Sequence, residues 1–276
     1  MTLISDRHIC LRNDLMMLNV LRFSRISSSL TNCHTVLLRQ NILFTWRKLS
    51  TSSNDRDATV RLDNIFSDYN REKVVAKMKD AKPLYRPEKL MKKGREAAVL
   101  VPMCHIEGEP ALLFMMRSRY LKNHRGEISF PGGMKDPSDR DLIHTALRET
   151  FEEIGLPEDC VDVWGTIPPS PSRVQLGRNN GGWVTPVLGY CNNIKIEQLN
   201  LNHSEVEEVF VRKISTLCDP ANQRMTQWRY LDTRGYTLPV FLGEEHRIWG
   251  LTAIFIHQVL NLIAPGLYNF KLNHKS

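Results

Sequence analysis

The chain has 276 residues, 42% apolar and 24% charged, which suits one sizeable globular domain with appendages, or two small ones. No run of eighteen apolar residues occurs, which excludes a membrane-spanning helix. The net charge is +7, but residues 1–56 hold eight basic and three acidic residues, or +5, leaving +2 for the other 220. The basic balance therefore belongs to the leader and gives the folded part no nucleic-acid-binding character.

Residues 1–53 are rich in Arg, Ser, Leu and Asn and poor in acids, the composition of a disordered mitochondrial presequence. Residues 46–53 (W-R-K-L-S-T-S-S) resemble a presequence processing site. Arginines interrupt every apolar run, which disfavours a secretory signal. The chain ends His274-Lys275-Ser276, without the peroxisomal S-K-L address. The expected compartment is the mitochondrial matrix.

Residues 54–94 read as a helical, charged linker. Leu62, Ile65, Phe66, Tyr69, Val74, Val75 and Met78 have helical spacing, and Pro83, Pro87 and Gly94 mark a connector. A compact domain is expected over 95–264, with a tail at 265–276. Residues 98–103 and 110–117 read as strands joined by a turn at Glu107-Gly108. Further strands are expected at 164–167, 183–190 and 205–211, with a loop over 168–182. A hairpin is expected from 229–231 and 236–241. The run 251–263, interrupted by Thr252, His257, Gln258 and Asn261, reads as a buried terminal helix. Strands before and after one central helix predict an α/β fold, a helix–sheet–helix sandwich around a mixed sheet.

The central helix is expected over 139–154. A glycine turn, Phe130-Pro131-Gly132-Gly133, precedes it and Gly155 caps it. Asp139 and Asp141 suit its first turn. Ile143, Ala146, Leu147, Thr150, Phe151 and Ile154 form the expected buried stripe, with Glu149, Glu152 and Glu153 on the other side. Glu149 and Glu153 are four apart and repel each other. Arg148 can pair with Glu152, and a hard divalent cation held by several carboxylates is the stronger compensator.

Residues 133–156 resemble the Nudix box, G-x5-E-x7-R-E-U-x-E-E-x-G-U. Arg148, Glu149, Glu152, Glu153 and Gly155 match its second half. Thr150 stands where an aliphatic residue is usual. Gly133 to Arg148 is fifteen positions instead of fourteen, and Asp141 or Asp139 replaces the early glutamate. Residues 112–133 resemble the signature that precedes the box in coenzyme A diphosphatases of this superfamily, at Arg117, Ser118, Gly126 and Phe130-Pro131-Gly132-Gly133. Lys122 replaces an arginine there, and Met115 a threonine. The segments 202–210 and 247–253 are also similar to that subgroup, and the leader points to its mitochondrial member.

The resemblance implies a Nudix-like fold and a metal-dependent hydrolase that cleaves coenzyme A and acyl-CoA into 4′-phosphopantetheine (or its acyl form) and 3′,5′-ADP. It implies Mg2+ or Mn2+ held by Glu149 and Glu153, with Glu152 as a further ligand. Backbone at Gly132 and Gly133 should approach the substrate and the metals, and Arg148 should orient the carboxylates. Glu205 or Glu208 would supply a general base if it lies outside the box. Arg117 and His124 are the other substrate-binding candidates. The expected partner is the small-molecule substrate, with no nucleic acid and no membrane, on a monomer or homodimer. The rivals are a Nudix hydrolase of another substrate, such as ADP-ribose or a dinucleotide, and a non-catalytic Nudix-like binding protein. Trp183 and Trp249 read as core, the six scattered cysteines as buried reduced thiols, and His105, His144 and His203 receive no role.

Overall fold

The computed structural model describes residues 60–81, 95–172, 182–192, 194–229, 235–243 and 245–272. The leader, the lysine- and proline-containing connector and the tip of the expected hairpin lie outside them.

The first strands explain the layering. In β1 (Glu96–Ile106), Ala97, Val101 and Met103 join one core, while Ala98, Leu100 and Cys104 join a second. In β2 (Glu109–Arg117), Leu112 and Phe114 face the first core, and Ala111, Leu113 and Met115 the second. Strands apolar on both faces need cover on both. Helix α1 (Asp68–Lys79) supplies Val74 and Met78 to the first core. Helix α2 (Leu142–Ile154) covers the second with Ala146, Leu147 and Ile154. The expected sandwich is thus present.

β1 and β2 form a hairpin closed by Glu107 (φ 54°) and Gly108 (φ 81°). This mirror-image turn matches the strand twist. Beyond the hairpin the two strands are bridged by a single segment. Its first half, β3 (Ile128–Ser129), pairs with Met115 and Met116. Its second half, β4 (Gly132–Met134), pairs with Ala97–Val99 of β1. The expected glycine turn is therefore a strand. A Cβ on Gly132, at φ +146°, would lie 2.3 Å from the Ala98 carbonyl oxygen, so only glycine permits this approach.

β5 (Asp162–Thr166) and β6 (Ser170–Pro171) both pair antiparallel with β7 (Trp183–Tyr190), which runs parallel to β1. β8 (Val206–Lys213) pairs with the free side of β2 and leads into a short helix, α3 (Ile214–Cys218). β9 (Gln223–Arg229) and β10 (Gly235–Phe241) make a separate hairpin, whose first strand begins earlier than expected. Helix α4 (Gly250–Ile263) closes the first core with Ala253, Phe255, Ile256, Val259, Leu260 and Ile263.

Residues 60–81 are part of this packing and not a linker. Ile65 and Val74 are fully buried. The buried Asn70 amide donates to the carbonyls of Ile65 (2.6 Å) and Ile263 (2.8 Å), tying α1 to α4. Within the expected tail, Tyr268 is buried and its hydroxyl meets His257 Nδ1 at 2.7 Å. Trp183 is buried as expected, whereas Trp249 is 39% exposed. Cys104 and Cys191 are buried free thiols as expected, and Cys218 is a free thiol at intermediate burial. Among the described residues no helix is long and apolar enough to cross a membrane.

Asn70→Ala leaves two buried carbonyls without a donor. It should lower unfolding free energy by about 1–3 kcal/mol, read from the urea midpoint of the full chain.

Candidate active site

The site is built where β4 passes under α2. Asp141 caps the helix by accepting from His144 N at 2.8 Å, so α2 starts at Leu142, later than the spacing predicts. The freed turn before it buries Asp139. That carboxylate accepts from Asp136 N (2.8 Å), Thr145 Oγ1 (2.9 Å), Arg148 Nε (2.8 Å) and Arg148 Nη2 (3.0 Å). The Arg148 guanidinium is the main reason its pKa lies well below the usual carboxylate range. With its oxygens so engaged, Asp139 is not available to replace the early glutamate as a metal ligand, and Asp141 is spent on the cap.

Arg148 distributes its remaining N–H groups. Nη1 donates to Glu152 (3.0 Å), and Nη2 to Glu149 (3.0 Å) and the Met134 carbonyl (3.2 Å). The expected pairing with Glu152 is present, but the deeper anchor is Asp139, nine residues upstream. At the far end, Gly155 sits in the left-handed region (φ 71°) and donates to the Phe151 carbonyl, as a capping glycine should.

The two faces of α2 differ from the expected ones at two positions. Phe151 is 55% exposed, and Glu153 is only 2% exposed. Glu153 shares a stripe with Ala146 and Thr150 at four- and three-residue spacing. Thr150 is tolerated in that stripe because its hydroxyl donates to the Ala146 carbonyl at 2.6 Å. Glu153 is tolerated because Gly132 N donates to Oε2 at 2.8 Å and Arg117 Nη1 lies 3.4 Å from Oε1. Burial still dominates, and the Glu153 pKa is pushed up to about 8. Glu149 is also raised, first by burial, with Arg148 opposing.

β4 fixes the other wall. A Cβ on Gly133 would lie 2.4–2.6 Å from the Glu149 carboxyl group. The missing side chain is what admits the carboxylate. Glu205, just before β8, adds repulsion to both Glu149 and Glu153. Its backbone carbonyl accepts from Ser118 N at 2.8 Å.

Four expected site residues are thus assembled with the two glycines: Arg148, Glu149, Glu153 and Glu205. Glu152 stands at the exposed rim. Arg117 reaches Glu153. Glu208 is not brought in. It pairs across the sheet with Met116 on the first-core face, beside Phe210, and forms an ion pair with His246. His124 lies in an exposed loop and bonds Glu127 at 2.8 Å. The Asp139 clamp and the Gly132 N–H are the features that box matching alone does not reveal.

Among the described residues no three His, Cys, Asp or Glu side chains stand in metal-ligating geometry. Arg148 draws Glu149 to one side, while Gly132 and Arg117 hold Glu153. The chemistry of the donor set nevertheless fits a hard divalent ion. Glu149 and Glu153 are desolvated, each raised by the other's charge or by Glu205, and lined by a glycine strand that leaves room beside them.

A NUDIX domain matches residues 94–231. The chain is 44% identical over 181 residues to mitochondrial coenzyme A diphosphatase NUDT8 of Mus musculus, covering 65% of this chain and 83% of that protein. The Homo sapiens protein of the same name is 42% identical over 187 residues, covering 67% and 76%. Nudix hydrolase 3 of Caenorhabditis elegans is 36% identical over 191 residues, covering 63% and 76%. The chain belongs to the Nudix family of hydrolases, enzymes that generally need divalent metal ions.

Gly133→Ala should act on the site and spare the fold, because its Cβ meets the end of a flexible side chain. Turnover should fall by about 100-fold, with the thermal midpoint within a few degrees of wild type, measured by calorimetry beside the activity assay.

Proposed function

We propose that this chain hydrolyses the diphosphate linkage of coenzyme A and acyl-CoA, releasing 4′-phosphopantetheine or its acyl form and 3′,5′-ADP. The observation that carries this reading is the 44% and 42% identity to two mitochondrial coenzyme A diphosphatases over most of their length. The carboxylates around Gly132-Gly133 supply the chemistry.

In this reading Glu149 and Glu153 hold Mg2+ or Mn2+, with Glu152 as a further ligand. The ion, when bound, neutralises the diphosphate and adds Lewis acidity. Gly132 N–H and Arg117 each hold one oxygen of the Glu153 carboxylate and keep the side chain within the site. Arg148, pinned by Asp139, limits where Glu149 and Glu152 can point. Arg117, at the edge of the same site, is the cation that receives a phosphate oxygen. Glu205 is the base that takes a proton from the attacking water, because it faces the other carboxylates while Glu208 does not. The acyl group is remote from the scissile bond and is accepted with the parent molecule. The composition of residues 1–53 and the mitochondrial relatives favour a mitochondrial location, with the matrix as the proposed compartment. The protein acts on its small-molecule substrate alone, as a monomer or homodimer, without nucleic acid or membrane.

Incubation with coenzyme A and Mg2+ or Mn2+, followed by chromatography, should yield 3′,5′-ADP. Glu149→Gln and Glu153→Gln should each cut turnover by about 10³-fold or more, a loss of at least ~4 kcal/mol of transition-state stabilisation, while remaining folded by circular dichroism. Faster cleavage of ADP-ribose than of coenzyme A moves the substrate assignment. No turnover of either points to a binding protein.

A further inference from the structure

Thr145, in the first turn of α2, is fully buried and carries a hydroxyl that the reaction itself does not use. That hydroxyl has one proton and two acceptors within reach, Asp139 Oδ2 at 2.9 Å and the Asp141 carbonyl at 3.1 Å. The Asp141 carbonyl already accepts the Thr145 backbone N–H at 3.1 Å, the ordinary helical bond. Asp139 is an ionised carboxylate whose side chain is shielded from solvent. A charged acceptor in a dry place forms the stronger bond, so the proton goes to Oδ2.

Oδ2 is where this hydroxyl joins the site. The oxygen also accepts from Arg148 Nη2 at 3.0 Å, and the same Nη2 donates to Glu149 Oε1 at 3.0 Å. An unbroken run of hydrogen bonds thus leads from Thr145 through Asp139 and Arg148 to Glu149. Nη2 has two N–H groups and a third acceptor beside it, the Met134 carbonyl at 3.2 Å. How Nη2 divides among them depends on where Oδ2 is held. Asp136 N holds that oxygen from the loop, at 2.8 Å. Thr145 holds it from α2, the helix that also carries Arg148 and Glu149. The hydroxyl therefore fixes Asp139 in the frame of the residues it has to serve.

We propose that Thr145 is a positioning residue for the hydrolysis, setting the seat of Arg148 through Asp139 and so the direction of the Glu149 carboxylate. The proposal rests on Glu149 being a metal ligand, as in the reading above. Without the hydroxyl the Asp139 carboxylate can turn about its own torsion, Arg148 turns with it, and Glu149 loses its fixed direction. The loss falls on metal binding and turnover, and leaves coenzyme A binding nearly unchanged.

The test uses Thr145→Val, which keeps the branched shape and removes the hydroxyl, beside Thr145→Ser, which keeps the hydroxyl. On the full chain, the Mn2+ dissociation constant is read from the free-ion electron paramagnetic resonance signal, and kcat and KM for coenzyme A are measured at saturating Mn2+. Thr145→Val should weaken Mn2+ binding and lower kcat by about ten-fold each, with KM for coenzyme A within about two-fold of wild type. Thr145→Ser should recover most of both. In an Asp139→Asn background the further effect of Thr145→Val should shrink to about two-fold or less, because the two residues act along one path. A lower thermal midpoint with Mn2+ binding and kcat of the folded protein unchanged makes Thr145 a packing residue only and overturns the proposal. A serine variant no better than the valine one overturns it as well, as does a full ten-fold effect in the Asp139→Asn background. If Thr145→Val does not fold, Thr145→Ala carries the same comparison. Wild type that binds no Mn2+ overturns the metal reading and this proposal with it. Wild type that binds Mn2+ and leaves coenzyme A intact overturns the substrate reading alone, and the Mn2+ constants then decide the role of Thr145.

Discussion

One charge imbalance governs the site. A single guanidinium, Arg148, bonds three carboxylates, those of Asp139, Glu149 and Glu152. A fourth carboxylate, Glu153, is buried with a backbone N–H and a longer contact to Arg117 as its partners. Asp139 takes most of what Arg148 offers, because it is buried and bonded through both Nε and Nη2. Glu149 and Glu153 are left short of positive charge in a desolvated place, and their proton affinities rise accordingly. Such an arrangement costs stability unless a cation arrives. The strain is local and lies where a diphosphate-cleaving enzyme can use it.

The sheet explains why this imbalance can be sustained. β1 and β2 separate beyond their hairpin, and the segment 128–134 bridges the gap by pairing first with one and then with the other. That crossing brings Gly132 and Gly133 against β1 and beneath α2. Side chains at either position would collide, with the Ala98 carbonyl in one case and the Glu149 carboxyl in the other. Gly132 is thus a requirement of the fold, and Gly133 of the site. The N–H of Gly132 is at once a backbone group of β4 and the best partner of Glu153.

Much of this was readable in the residues. Alternation is nearly absent in β1 and β2, and that pattern predicts a sheet covered on both faces. The cap at Gly155, the carboxylates at 149 and 153, and the Arg148–Glu152 pair follow from helical spacing alone. The failures have identifiable causes. Its charge puts Glu153 on the expected polar face, because charge normally marks solvent, yet its spacing matches Ala146 and Thr150. Phe151 falls in the expected core for the converse reason. Asp139 reads as a helix residue, since nothing local separates a first-turn acid from one that folds back on an arginine. Glu205 and Glu208 could not be told apart by type. The bulge between Met116 and Arg117 changes the pairing register, and it leaves Glu208 with His246. The helix at 68–79 packs on the domain because of Ile65, Val74 and Met78, which charge density had obscured.

The central claim is that Glu149 and Glu153 lack positive charge that a divalent ion supplies. Titrating the protein with Mn2+ and following the free-ion electron paramagnetic resonance signal tests this without any substrate. Wild type should deplete that signal stoichiometrically, and the Glu149→Gln/Glu153→Gln variant should leave it as in buffer. Equal depletion by both proteins would contradict the account.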